Sequence, residues 1–305
     1  MTVVIALGAN LLVALAKTIA SILTGSASMV AETAHSWADF GNEIFLLIAD
    51  RRSVRERDVP HPLGYGREAY VWSMFAAFGV FTAGAVVSVA HGIQQLAVPE
   101  RDSDYLVNYI VLAVSFVLEG ISFSQAFRTA RAGGRRGQRT AYFALTSSNA
   151  TLRAVFAEDS AALGGLLLAF VGILLHQLTG LAVFDAVGSI AIGVLLGAVA
   201  LVLIDRNRRF LVGEVPDAKL HGQVLARILD NPDVERVTFL FLEYVGPGRL
   251  LVVAAVDFTG NQAESDVATT LRRVENLLEQ DEHVERAVLT LSAPDDPSLE
   301  PPTSE

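Results

Sequence analysis

The sequence contains no cysteine. Disulfides and thiolate metal ligands are therefore excluded, and any metal chemistry falls to histidine, carboxylate, amide or backbone oxygen. Positive charge is scarce in one set of short connections: near residues 25 to 28, 97 to 104 and 176 to 182, only Arg101 carries it. The N-terminus MTVVIALGANLLVALAKTIASIL lacks a basic leading segment, and its apolar stretch runs too long for a signal peptide, so it reads as a membrane span. A net charge of −10 also removes the electrostatic footprint that nucleic-acid binding requires.

Apolar residues, by contrast, are abundant. They make up 52% of the 305 residues, too many for an ordinary soluble protein of this length. Six windows of roughly 20 largely apolar residues run over about 2–24, 29–49, 70–92, 105–127, 151–175 and 183–204. They predict an α-helical membrane protein with a six-helix transmembrane domain over residues 1–205. From Asp205 onward there are 19 acidic against 10 basic residues, whereas the first 204 hold 14 against 13. The acidity thus belongs to a separate soluble domain, expected over 206–292. The Pro-rich end PDDPSLEPPTSE predicts a disordered tail over 293–305.

Orientation follows from the loops, because Lys and Arg concentrate on the cytoplasmic side. Arg51, Arg52, Arg55, Arg57 and Arg67 follow the second window, Arg128, Arg131, Arg135, Arg136 and Arg139 the fourth, and Arg206, Arg208 and Arg209 the sixth. Thirteen against the single Arg101 of the opposite loops places both termini and the soluble domain in the cytoplasm. The soluble part alternates helix (about 217–229), strand (234–244), a GPG turn, strand (249–258), helix (262–280) and strand (284–291). That αββαβ order suits a ferredoxin-like α+β fold, expected as a small antiparallel sheet with two helices on one face. Such a fold with an open edge suggests a homodimer by analogy.

The stretch AETAHSWADFGNE carries Glu32, His35, Asp39 and Glu43 into the second window. A carboxylate at mid-membrane costs about 2.5–3.5 kcal/mol and usually faces a water-filled cavity or another polar group. Entering from outside near Ser28, a helix rising ~1.5 Å per residue puts His35 and Asp39 roughly 10 and 16 Å deep. Their i, i+4 spacing sets both on one face, which Asn42 and Leu46 continue. Glu158 and Asp159 form a second cluster in the fifth window; Asp159 lies roughly 12 Å in from Thr151. A histidine and two aspartates at one level offer donors suited to zinc and tolerable to manganese, iron or cobalt, and the same groups take protons when the metal leaves. The competing reading is that these groups are helix-packing hydrogen-bond partners. Glu32 and Glu43 are expected nearer the span ends in solvated or capping roles. Lys17 is expected either to pair with an acid or to reach toward an interface.

These residues are also familiar in combination. GSASMVAETAHSWADFGNE, HPLGYGREAYVWS, EDSAALGG and FDAVGSIAIGVLLG together resemble the cation diffusion facilitator family, most of all its zinc-transporter-nine-like branch. The resemblance implies a homodimeric carrier that exchanges a cytoplasmic divalent cation for protons by alternating access. Carried over by motif, the metal ligands fall on His35, Asp39 and Asp159. Val155 stands where many members have a fourth ligand and cannot coordinate, so Glu158, Asn42 or water is left to fill that place. His61 in HPLGYG reads as an auxiliary site or a turn, with the turn favoured, and no metal site is assigned to the soluble domain.

The expectation is therefore a proton-coupled divalent cation efflux transporter, zinc first, and not an enzyme. Its partners are the lipid bilayer, the transported metal (Zn2+ first) and protons, with no prosthetic group and no nucleic acid. A bacterial plasma membrane is the expected location. The alternatives are a non-transporting scaffold whose site has decayed, and an intramembrane hydrolase for which no second catalytic motif exists.

Overall fold

The computed structural model describes residues 2–97, 105–134, 138–260 and 262–300. Arg101, Arg135 and Arg136, used above for orientation, lie outside the described residues. The N-terminal two thirds is helical: α1 (Thr2–Thr24), α2 (Ala27–Ser53), α3 (Glu68–Gly79), a π-helical segment (Val80–Val86), α4 (Val87–Ala97), α5 (Tyr105–Gly133), α6 (Thr140–Thr146), α7 (Ala150–Thr179) and α8 (Val183–Val212). The run Glu68–Ala97 and helices α5, α7 and α8 are long and apolar enough to cross a membrane. Helix α1 contributes a shorter apolar stretch, Asn10–Thr24, and α2 carries Glu32, His35, Asp39 and Glu43 along its length.

Local chemistry explains where these helices stop and start. Asn149 accepts from the Leu152 amide and caps α7, so the TSSN turn ends α6 there. Gly180, at φ 71°, terminates α7 in the left-handed conformation that glycine adopts without a Cβ penalty. The N-terminus of α2 has a cap from a distant helix: Asp185 of α8 accepts from the Ala27 and Ser28 amides at 2.7 and 3.2 Å and from Ser26 Oγ at 3.0 Å. Two orphan backbone amides and a serine hydroxyl are satisfied by one buried carboxylate, and α2 is thereby held at a set height against α8.

The chain forms two compact units, one of residues 1–51 and 69–208 and the other of 52–68 and 209–305. In the first, Met29, Ala31, Leu112, Leu166, Ile173, Ile192 and Leu196 form a buried cluster. Large apolar side chains such as Ile22, Val114, Val117 and Val194 are turned outward.

The second unit holds α9 (Ala218–Leu229), β1 (Val234–Gly246), β2 (Arg249–Phe258), α10 (Glu264–Leu278) and β3 (Val284–Leu291). One core joins Leu225 and Ile228 of α9, Val274 and Leu278 of α10, and the inward residues Val237, Leu242, Val252, Val256 and Leu289 of the strands. The sheet is not all antiparallel as the sequence predicts. Its order is β1-β2-β3; β1 and β2 form an antiparallel hairpin, while β3 lies parallel to β2. The reason is the connection: α10 returns the chain to the starting end of β2, so adjacent strands joined by a helical crossover run the same way.

The tail also differs from expectation through Glu300. Arg236 donates to the carbonyls of Ala293, Pro294 and Asp296, and the Leu299 amide donates to Val237 O at 2.7 Å while its side chain packs on the core. Residues 301–305 lie outside the described residues.

The connection between α2 and α3 belongs to this second unit. Arg67 pairs with Glu243, Arg57 lies 3.7 Å from Glu279, and Gly66 packs backbone to backbone against Gly246, where a Cβ would fall 2.6 Å from Val245 O.

Candidate functional site

Within the helical unit the polar groups of α2 separate into two clusters. Toward its N-terminus, Glu32 is fully buried and pairs with the equally buried Lys17 of α1 at 2.9 Å. This settles the two expectations for Lys17 in favour of pairing, and it moves Glu32 from a solvated end into the interior. Helix α7 accommodates the pair with Gly165, where a Cβ would stand 2.6 Å from Glu32 Oε1. One turn on, His35 Nδ1 lies 3.3 Å from Asp39 Oδ1, within ion-pair distance but without hydrogen-bond geometry. The i, i+4 spacing thus brings the two together as the sequence predicts.

Further along α2, a cavity of about 290 Å³ opens between α1, α2, α5 and α7. Its lining includes the acids Asp39, Glu43, Glu119, Glu158 and Asp159 and the amide of Asn42, with Asn10, Ser122 and Gln125 beside them. Asp159 accepts a hydrogen bond from Ser122 of α5 at 2.8 Å. Asn42 donates to Glu158 Oε2, and Asn10 of α1 donates to Glu43 Oε1 at 2.6 Å. Val155 is part of the wall. The cavity therefore collects Asp39 and Asp159 but not His35. Among the described residues, no three His, Asp or Glu side chains stand together in an arrangement that could hold a metal ion.

Glu43, like Glu32, departs from its sequence reading. Glu43 is not an end group, because Asn10 draws it into the cavity wall. Glu119 of α5 has no place in the sequence reading, although the signal that marks Asp39, an ionisable residue inside an apolar run, applies to it equally. Arg153 of α7 is also buried; it donates to Asn207 of α8 at 2.6 Å, and Asn207 donates to Ser73 of α3 at 3.1 Å, tying three helices together.

Three other histidines, His61, His221 and His283, have local partners. In the α2–α3 connection His61 Nδ1 lies 3.0 Å from Asp58 Oδ1, and Tyr65 donates to Asp58 Oδ2 at 2.7 Å. Those bonds, Tyr65's foremost, hold the Asp58 carboxyl below its ordinary value. The segment is the turn that the sequence favoured. In the second unit, His283 donates its amide to Asp281, which lowers that carboxyl's pKa, and His221 Nε2 lies 3.2 Å from Leu240 O.

With this geometry in view, comparison with known proteins is decisive. The cation efflux transmembrane domain matches residues 3–212. The chain belongs to the cation efflux family. This cation diffusion facilitator is 33% identical over 233 residues to Metal tolerance protein C4 of Arabidopsis thaliana, a match covering 76% of this chain and 51% of that protein. It is 32% identical over 246 residues to the human Proton-coupled zinc antiporter SLC30A9, mitochondrial, covering 80% and 43%. The Xenopus laevis protein of the same name is 34% identical over 248 residues, covering 80% and 44%. These relatives bear out the zinc-transporter-nine-like branch, and the chain spans about half the length of the relatives it matches. The family is one of multi-pass membrane transporters of metal cations rather than of enzymes.

Proposed function

We propose that this cation diffusion facilitator is a proton-coupled divalent metal efflux carrier, with zinc as its first cargo and manganese, iron or cobalt behind it. In this reading six helical spans, α1, α2, the run Glu68–Ala97, α5, α7 and α8, form the transport domain, and both termini and the α+β unit face the cytoplasm. His35, Asp39 and Asp159 bind the cation. The observation that carries the reading is the cavity itself: acids from α2, α5 and α7 line one space inside helices that match a cation efflux domain. Carboxylates crowded in a medium of low dielectric repel one another, so a divalent cation or protons must neutralise them, and the two therefore compete. Alternating exposure of such a site couples one flux to the other.

A homodimer belongs to the same reading. Phe241, Val253 and Val288 stand in one cross-strand row on the sheet face away from α9 and α10, beside Phe239. Phe239 is 52% exposed, an apolar face that suits a second copy of the chain. As for location, the relatives named above as mitochondrial do not favour the bacterial plasma membrane expected from the sequence, and the proposal is restricted to a multi-pass membrane protein.

Zinc uptake into proteoliposomes under an imposed pH gradient tests the reading. Wild-type protein should move zinc, and Asp39→Ala and Asp159→Ala should each reduce the rate at least tenfold. A wild type that moves none of the four metals sinks the carrier reading and favours a non-transporting scaffold with Val155 in a decayed site. Undiminished transport by both variants sinks the assignment of the site.

A further inference from the structure

The cavity contains an arrangement that the proposed ligand set does not use. Glu43 and Glu158 are held alike: each gives one carboxylate oxygen to an amide NH2, Asn10 to Glu43 Oε1 and Asn42 to Glu158 Oε2. In each, the other oxygen, Glu43 Oε2 and Glu158 Oε1, is buried with no hydrogen-bond partner among the described residues. Asn42 completes the set. An ionised carboxylate can only accept, so the Asn42 NH2 must face Glu158 and its carbonyl must point elsewhere. Asn42 Oδ1 is likewise buried without a partner. Glu158 is 6% exposed and Asn42 3% exposed, and all three residues line the same space.

These three bare oxygens, with Asp39 Oδ1 a fourth in the same cavity, can be satisfied by water or by a cation. Water supplies hydrogen bonds but leaves the carboxylate charges of one cavity uncompensated in a low dielectric. A divalent cation satisfies the oxygens and cancels the charge together. The donor set is all oxygen, two carboxylates and an amide carbonyl, which favours hard cations that keep part of their water over zinc, which prefers nitrogen and sulfur. We infer that Asn42, Glu43 and Glu158 form a second cation site, one turn along α2 from Asp39, that takes a partly hydrated hard divalent ion of the manganese type. The inference shares the membrane cavity with the carrier reading and rests on it for its place on a transport path. Its ligands, however, are separate from His35, Asp39 and Asp159.

Mn2+ titration of the purified full-length protein in detergent, read by loss of the free-ion electron paramagnetic resonance signal, tests the site. Wild type should bind Mn2+. Glu158→Gln and Asn42→Leu should each weaken binding at least tenfold, Asn42→Asp should keep it within threefold, and His61→Ala, in the exposed α2–α3 turn, should leave it unchanged. The inference is overturned if wild type binds no Mn2+, if Glu158→Gln and Asn42→Leu bind as wild type does, if Asn42→Asp loses binding as Asn42→Leu does, or if His61→Ala weakens binding as much as they do. Transport separates the two proposals. Protein that binds Mn2+ as expected yet moves no metal keeps the site and loses the carrier; protein that moves zinc while Glu158→Gln binds Mn2+ undiminished keeps the carrier and loses the site.

Discussion

The two units bury opposite kinds of side chain. Of the 21 buried polar or charged residues among those described, Thr270 alone lies in the α+β unit; the rest, including Lys17, Glu32, His35, Arg153, Glu158 and Asp185, lie in the helical unit. The α+β unit follows the rule for water: Leu225, Val237, Leu242 and Val274 go inside, and its ion pairs stay at the rim. The helical unit turns Ile22, Val117 and Val194 outward, as a hydrocarbon environment permits, and uses its interior for polar groups. The difference shows where chemistry is affordable in each unit. Polar groups inside a membrane bundle need partners from other helices, and those partners define a site.

The contrast can be probed by breaking each interior in its own terms. Lys17→Met leaves Glu32 as an unpaired buried charge and should cost about 3–5 kcal/mol, the largest effect expected. Removing both charges with Lys17→Met and Glu32→Met should recover most of that loss in a double-mutant cycle read by SDS unfolding. A Lys17→Met protein as stable as wild type would mean that the pair is not what holds α1 to α2. Leu242→Ala should cost about 2–5 kcal/mol through the cavity that it leaves. Hydrogen exchange should then accelerate in β1, β2 and α9 and stay unchanged around Glu32; acceleration in both units would show that the division into two cores is false.

Gly66→Ala should cost about 1–3 kcal/mol, because the added methyl meets the Val245 carbonyl, which is backbone and cannot swing aside. Limited proteolysis should then cut the α2–α3 connection faster. The smallest effect belongs to the surface. Tyr65→Phe removes the foremost bond that lowers the Asp58 pKa, and carbon-detected NMR should find that carboxyl titrating at higher pH. The sign follows from linkage: a depressed folded pKa adds stability above the ordinary aspartate range, and that stability is lost as pH falls through the folded value. Because Asp58 is exposed, the thermal midpoint should hardly move.

Much of the fold was legible in the sequence because its signals are local. Each apolar window falls inside a helix, and the strands of the α+β unit begin within a residue of their expected starts, since hydropathy and β-branching act over short stretches. The pairing of His35 with Asp39 was legible for the same reason, being set by one helical turn. Long-range matters were not. The partner of Lys17, the direction of β3 and the anchoring of Leu299 depend on how distant segments meet. The π-helical segment within Glu68–Ala97 likewise left no periodic trace.

By itself, then, the sequence determined that this protein sits in a membrane, that it carries an α+β unit, and that His35, Asp39, Glu158 and Asp159 are the groups whose burial needs explaining. Composition and helical spacing suffice for that, because a charge carried into hydrocarbon needs a partner wherever that partner comes from. Tertiary structure alone decided which of these groups share a space. The antiparallel approach of α2 and α7 set Asn42 against Glu158, α1 delivered Lys17 to Glu32 and Asn10 to Glu43, and α5 brought Glu119 and Ser122 to the cavity wall. A hydrogen bond is satisfied only over about 3 Å, and residues 116 positions apart come within that distance only when the helices have packed.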